Sequence, residues 1–326
     1  MRPFDFTQAP DVKKALFKKN DVTQFIAGGT NLVDLMKKNI SKPEQLVDVT
    51  IALENKVEPD TNGIRIGAMV RNSALANDTA VRERFPLLAK AILAGASPQI
   101  RNMASTAGNL LQRTRCPYFY DVSTPCNKRA PGTGCSAING ENRMNAVIGY
   151  SDQCVAVHPS DMCVALAALD ATVRITDKKQ KQSSIAFKDF HRLPDTTPQL
   201  DNNLPANALI TGITIPGNAF HKNFAYVKLR DRDSYAFALI SVAAALELNG
   251  NTIVAARLAS GGVAHKPWRW YEAENFLKGK QATGEVFSEA AAIALKEVKP
   301  LSHNGFKKTM LKGAIETALH DCLTAL

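Results

Sequence analysis

Gln24-Phe-Ile-Ala-Gly-Gly-Thr-Asn-Leu-Val-Asp-Leu-Met-Lys-Lys38 changes its periodicity twice in fifteen residues. Gln24 to Ala27 reads as a short apolar strand, Gly28-Gly29-Thr30 as a loop, and Asn31 to Lys38 as an amphipathic helix with Leu32, Leu35 and Met36 on one face. Glycines let a backbone approach a ligand, and the amides that open a helix point at negative charge, so Ala27 to Asn31 is a candidate pyrophosphate cradle. It is not the G-x-G-x-x-G fingerprint, and a strand-Gly-Gly-helix junction is also simply a turn.

Working outward, Gln45 to Val49 reads as a second strand and closes a βαβ-like unit near residue 58. After Pro59-Asp60, the run Gly63 to Val70 starts a second unit, continued by a buried helix from Leu87 to Ala96. Ser105-Thr106-Ala107-Gly108-Asn109-Leu110 is a second loop with hydroxyls, a side-chain amide and a glycine, and two such loops favour a dinucleotide ligand. Pro159 to Ala168 reads as a helix, and Thr172 to Thr176 and Ala208 to Pro216 as strands. Pro216-Gly217-Asn218 then marks a boundary. Beyond it, strands at Phe224 to Leu229, Phe237 to Leu248 and Ile253 to Leu258, with helices from Tyr271, predict a separate α+β unit. The expected units are 1–58, 59–217 and 218–326, without internal repeats.

Residues Arg113 to Cys154 break this rhythm with Pro, Gly, Asn, Ser and Cys, and so long an irregular stretch inside a domain calls for something to hold it. Cys116, Cys126, Cys135 and Cys154 lie in it, separated by 9, 8 and 18 residues. Four thiolates on a loop can close around a metal centre, and the bonds formed offset the cost of ordering it. The absence of a C-x2-C pair favours a 4Fe-4S cluster over zinc, with disulfides or unrelated thiols as the plain alternatives. Cys163 and Cys322 read as small apolar core residues. In His158-Pro159-Ser160-Asp161, Ser160 or Asp161 is either a helix cap or, for Asp161, a ligand to hydroxyl groups. Lys228, beside Arg230 and Arg232, reads on its own as part of a solvated face.

The formal net charge of +10 suits an anionic cofactor or acidic partner. No basic run interleaved with aromatic residues suggests nucleic acid, and no eighteen-residue apolar run suggests a membrane span. Met1 to Lys18 lacks the apolar run of a signal peptide. Six scattered histidines and the lack of G-x-S-x-G or H-E-x-x-H leave no general base or nucleophile constellation.

Four motifs occur in order: Ala27-Gly28-Gly29-Thr30-Asn31-Leu32, Thr106-Ala107-Gly108-Asn109-Leu110, Pro159-Ser160-Asp161 and Gly261-Gly262-Val263-Ala264. Together, over nearly the full chain, they resemble the FAD-binding subunits of the xanthine dehydrogenase, or molybdenum hydroxylase, family. The segment Arg113 to Asp121 with the later cysteines most closely resembles the flavin and 4Fe-4S subunit of bacterial periplasmic aldehyde oxidoreductases. The 4-hydroxybenzoyl-CoA reductase flavin subunit carries a comparable cluster loop, and the carbon monoxide dehydrogenase type lacks one.

The resemblance implies an α+β fold, with a two-subdomain FAD-binding domain of the vanillyl-alcohol-oxidase (PCMH-like) kind followed by a smaller C-terminal α+β domain. It assigns Ile26, Ala27, Gly28, Gly29, Thr30, Asn31, Leu32, Val33 and Asp34 to the FAD pyrophosphate, with Ser105, Thr106, Gly108 and Asn109 as the second wall. By the same route Asp161 meets the ribityl chain, Leu209 and Ile210 lie against the adenine or flavin region, and Lys228 approaches the flavin. Cys116, Cys126, Cys135 and Cys154 hold the cluster. Some relatives stack an aromatic residue near the flavin where this chain has Gly95 to Ser97. The expected role is electron transfer from a large molybdenum-cofactor subunit and a small 2Fe-2S subunit, in a heterotrimer, through FAD to an external acceptor. A hydroxybenzoyl-CoA reductase-like subunit, a stand-alone FAD oxidoreductase and a zinc scaffold are the alternatives. Co-export to the periplasm with a signal-bearing partner is expected slightly ahead of a cytoplasmic location.

Overall fold

Short strands with helical crossovers open the chain. In the computed structural model, which describes residues 1–324, β1 (Asp5–Gln8), α1 (Val12–Lys18), β2 (Thr23–Ile26), α2 (Leu32–Lys37) and β3 (Gln45–Asp48) form a parallel sheet of order β1-β3-β2. Parallel neighbours cannot be joined by a tight hairpin, and α2 supplies the crossover from β2 to β3. Asp11 caps α1 by accepting from the Lys14 amide at 2.7 Å, and Ala15 and Leu16 pack in one cluster with Val47 and Val49.

The second unit comprises β4 (Val57–Asp60), β5 (Gly63–Gly67), α3 (Asn72–Asn77), α4 (Thr79–Arg84), α5 (Pro86–Ala94), α6 (Pro98–Met103), α7 (Thr106–Leu110), α8 (Pro117–Tyr120), α9 (Ser136–Asn139), α10 (Asp161–Ala168), β6 (Thr172–Asp177), β7 (Gln182–Ala186), α11 (Phe187–Phe190) and β8 (Ala208–Pro216). Its five strands are antiparallel in the order β4-β5-β8-β6-β7. The boundary expected at 58 falls inside β4, so this sheet begins earlier than Pro59 suggests. Proline lacks a ladder donor but is tolerated on an edge strand, and β4 is one.

The third unit consists of β9 (Asn223–Leu229), β10 (Ile240–Asn249), β11 (Thr252–Gly261), β12 (Trp268–Arg269), α12 (Tyr271–Leu277), α13 (Gly284–Ala294) and α14 (Phe306–Thr324), its sheet being an antiparallel meander. The strand expected from Phe237 starts at Ile240, because 230–239 forms a loop. Along β10, Ile240, Val242, Ala244 and Leu246 pack in the core with α12, α13 and α14, whereas Ala243 and Ala245, with Ala259 of β11, join the core around α5 and α10. Period-two alternation thus buries both faces of one strand. The small residues admit α10 closely. A Cβ on Gly261 would lie 2.6 Å from Ser241 Oγ and from Val164 Cγ2.

The cysteine-bearing stretch contains only α8 and α9 as regular structure, yet its hydrogen bonds are largely made. The Arg129 guanidinium donates to the carbonyls of Tyr118 at 2.6 Å, Phe119 at 2.9 Å and Thr124. The Asn127 amide donates to Gly134 O at 2.7 Å. The third unit grips the far end: Asn142 donates to Ser302 Oγ at 3.0 Å and accepts from the His303 amide at 2.9 Å, and Val147 N donates to Val263 O at 2.9 Å.

Candidate functional site

Two cavities meet at Thr30, Asn31 and Gly108, which line both. The first, of about 540 Å³, runs along the β2–α2 loop. Ile26, Ala27, Gly28, Gly29 and Leu32 line it from one side, Ser105 joins from the second loop, and Leu209 and Ile210 of β8 line it too. The second, of about 640 Å³, is walled by Asp34, Asn72, Arg101, Asn109, Arg115, Asp161 and Lys228, with Tyr235 and Phe237 from the β9–β10 loop. Each lies in the volume range of a small-molecule site, so the joined pair suits a long, two-headed ligand.

The local sequence explains the first wall. Gly29 has φ +71°, which turns the chain from β2 into α2 without a Cβ penalty. Gly28 has no room for any side chain, since a Cβ would lie 1.9 Å from Met103 O. Asn31 Oδ1 accepts from the Arg113 amide at 3.1 Å, which fixes the side-chain amide and leaves Nδ2 buried without a partner. Asn72 Oδ1 is likewise buried and unpartnered. Both residues line the second cavity, and an orphaned donor and acceptor there fit a polar ligand that completes them.

Other expected contacts are rearranged. Ser160, not Asp161, caps α10, accepting from the Cys163 amide at 3.1 Å. Asp161 instead accepts from Tyr226 OH at 2.7 Å and Lys228 Nζ at 2.8 Å, and burial and the adjacent carboxylate push Tyr226 well above its usual value. Lys228 is therefore no solvated face: it is buried, and it also donates to Ala94 O at 3.0 Å. Asp34 pairs with Arg115 at 3.1 Å. Two assigned residues stand off the cavity walls. Thr106 is fully buried with its hydroxyl donating to Val70 O at 3.0 Å, and Val33 packs beside Gly29. The aromatic residues on the second cavity come from the third unit, as Tyr235 and Phe237. The sequence reading missed them, together with Asn72, Arg101 and Arg115. Only Arg115 had a signal, its place beside the first cysteine of the loop.

The four loop cysteines are free. Cys126 and Cys135 face one another in an antiparallel bridge, and the Cys135 and Cys154 thiols share a hydrogen bond that draws Cys135 down to about 6 and drives Cys154 upward. Burial pushes Cys116 up, while the Asn145 Nδ2 donor at 3.7 Å from its sulfur and the nearby Cys126 act on it in opposite senses. Among the described residues, His158, Cys163 and His191 form a group of three ligand atoms within 4.8 Å, and the loop cysteines do not gather so closely. Four soft thiols carried by one loop are a donor set that iron or zinc can take. The His158, Cys163 and His191 group lies wholly in the core. His191 Nε2 donates to Leu110 O at 2.9 Å, its ring packs 4.3 Å from that of His158, and burial lowers both histidines.

Residues 1–218 match the model of the FAD binding domain in molybdopterin dehydrogenase, and residues 224–322 match that of the CO dehydrogenase flavoprotein C-terminal domain. The chain belongs to the flavoprotein subunits of the molybdopterin dehydrogenase family. It is 47% identical over 300 residues to the aldehyde oxidoreductase FAD-binding subunit PaoB of Escherichia coli, covering 91% of each chain. The glyceraldehyde dehydrogenase medium chain of Sulfolobus acidocaldarius is 28% identical over 306 residues, covering 93% of this chain and 91% of the relative. Among solved structures, carbon monoxide dehydrogenase of Hydrogenophaga pseudoflava superposes with a TM-score of 0.77 at 22% identity, over 99% of this chain and 98% of that one, which is a likeness of fold. As a molybdopterin dehydrogenase flavoprotein, the chain is an FAD-binding oxidoreductase subunit of the aldehyde oxidoreductase and carbon monoxide dehydrogenase family, with electron transfer as its role.

Proposed function

We propose that FAD lies extended through the two joined cavities, its adenosine end along the β2–α2 loop and its ring in the cavity walled by Asp161, Lys228 and Phe237. We propose also that Cys116, Cys126, Cys135 and Cys154 hold a 4Fe-4S cluster. The observation that carries the first part is the meeting of the cavities at Asn31, whose Nδ2 is buried with no partner and is free to donate to a phosphate. Bound FAD takes up electrons singly and gives them up singly or in pairs. The chain's own residues bind and orient it. Gly28 and Gly29 bring the backbone close, Ser105 holds the Gly108 amide at 3.2 Å and so shapes the second loop, and the paired Asp161 and Lys228 place fixed charge at the ring cavity.

On this reading the protein passes electrons from a large molybdenum-cofactor subunit and a small 2Fe-2S subunit, in a heterotrimer, to an external acceptor. The organic substrate is an aldehyde oxidised on the large subunit, in keeping with the 47% identity to an aldehyde oxidoreductase subunit. Co-export with a signal-bearing partner places the complex in the periplasm. Cys126→Ser tests the metal assignment. The wild-type chain is expected to carry FAD and about four irons, and the variant to lose the iron and keep the flavin. Iron content equal in the two proteins counts against the ligand set.

A further inference from the structure

Three lysine side chains are buried among the described residues. Lys128 is matched by Asp201 at 2.6 Å and Lys228 by Asp161 at 2.8 Å, whereas Lys307, on α14, has no carboxylate partner. Its Nζ donates to two neutral carbonyls, Asn145 O and Gly262 O, each at 2.9 Å. Burial, and after it the like charge of Arg143, lowers Lys307 to about 7. An enclosed ammonium is costly unless an opposing charge is supplied, and the neighbouring protein groups supply none.

What lies beyond Asn145 is the cysteine loop. The same asparagine that accepts from Lys307 through its carbonyl donates from Nδ2 to Cys116 Sγ at 3.7 Å. Asn304, fully buried on the approach to α14, donates to Asn145 O at 3.2 Å and Ala146 O at 3.1 Å and locks that orientation. The third unit thereby reaches into the cysteine loop with one positive charge and, through Asn145, one N–H···S donor.

We infer that Lys307 is a built-in countercharge of the iron-sulfur cluster and that, with Asn145, it tunes the cluster's reduction potential. The inference rests on the cluster assignment proposed above. Four thiolates leave such a cluster net negative, and reduction by one electron, supplied by the partner subunits or by dithionite, adds a further negative charge without breaking a bond. A protonated Lys307, which a negative cluster favours over the neutral amine, and a hydrogen bond to sulfur both favour the more negative, reduced state, and hydrogen bonding and nearby charge are recognised determinants of cluster potential. Lys307 and Asn145 are positioning residues, since neither ligates iron.

The test is Lys307→Met in the full chain, purified anaerobically and compared with wild type for iron, flavin and the cluster's midpoint in a dithionite titration followed by electron paramagnetic resonance. The variant is expected to keep iron and flavin while its reduced-to-oxidised ratio, read at the wild-type midpoint, falls at least tenfold. For a one-electron couple that is 59 mV toward more negative potential. Asn145→Ala is expected to move the midpoint the same way, and the flavin midpoint is expected to move less in both. An iron-replete Lys307→Met chain with an unmoved cluster midpoint overturns the inference and leaves the cluster assignment standing. If Lys307→Met loses its iron, Lys307→Arg decides: retention of iron with the charge restored supports the inference, and loss in both variants overturns it. A wild-type chain with flavin but no iron overturns the cluster assignment itself, and the countercharge with it.

Discussion

Asp161 is shared by Tyr226 and Lys228, all three side chains are buried, and Asp161 and Lys228 line the second cavity. Removing one member of a buried ion pair strands the other, which typically costs about 3–5 kcal/mol. Asp161→Asn is therefore expected to lower unfolding stability by that order in urea titrations, with Lys228→Met in the same chain recovering part of the loss. Equal stability of the single and double variants is the adverse result. Histidines predict a pH dependence. Burial holds His191 at about 4 and His265 at about 3, below the ordinary 6.5. From pH 6.5 down to those values the unfolded chain binds protons that the folded chain refuses, so stability is lost as pH falls through that window, by about 1.36 kcal/mol per unit for each histidine. Between pH 7 and 5 the loss is about 2 kcal/mol per histidine, and His265→Gln is expected to show a shallower slope. An unchanged slope tells against a neutral buried imidazole. Little of this was legible in the sequence: Lys228 beside two arginines has the look of a wet surface, and only the fold shows that Asp161, far away in sequence, faces it.

Elements were more legible wherever burial imposes a periodicity. Ala208 to Pro216 stands as expected because β8, central in its sheet, is almost continuously apolar, and the helix expected at Leu87 to Ala96 appears as Pro86–Ala94. Strands β1 and β7 escaped notice because they lie on sheet edges with mostly exposed side chains, which leaves no alternation to read. Pro59 misplaced a boundary for a related reason, since an edge strand accommodates the residue that a central one rejects. At this scale Gly261 makes a sharp prediction. A methyl group there meets Val164 on α10 and Ser241 on β10 at 2.6 Å, and overpacking of this kind costs about 1–3 kcal/mol. Gly261→Ala is expected to lower the thermal midpoint and weaken flavin retention together, because α10 carries Asp161. A variant as stable as wild type would mean that α10 shifts freely.

Across the whole molecule, the third unit is less separate than its sequence suggests. Ala243, Ala245 and Ala259 belong to the core built around α5 and α10, and so does Tyr226. Residues 219–326 produced alone leave that face open to water and are expected to lack a cooperative thermal transition. A sharp one, followed by near-ultraviolet circular dichroism, contradicts the shared core. The sequence pattern conveyed three units and two glycine-bearing loops, but of what the third unit gives the second cavity it conveyed Lys228 and missed Tyr235 and Phe237, in a loop without periodicity. Its hold on the cysteine loop was equally hidden, being made by single side chains on residues remote in sequence.

That hold has a consequence in time. The grip on residues 142–147 is drawn from Val263, Lys299, Ser302, His303, Asn304 and Lys307. During synthesis the cysteines leave the ribosome long before those residues exist, so the nascent loop has no finished mould to offer. On the cluster assignment proposed above, maturation factors delivering iron and sulfide should therefore act on the released polypeptide, and a stalled intermediate ending before α14 should emerge from the cell colourless at its sulfur site.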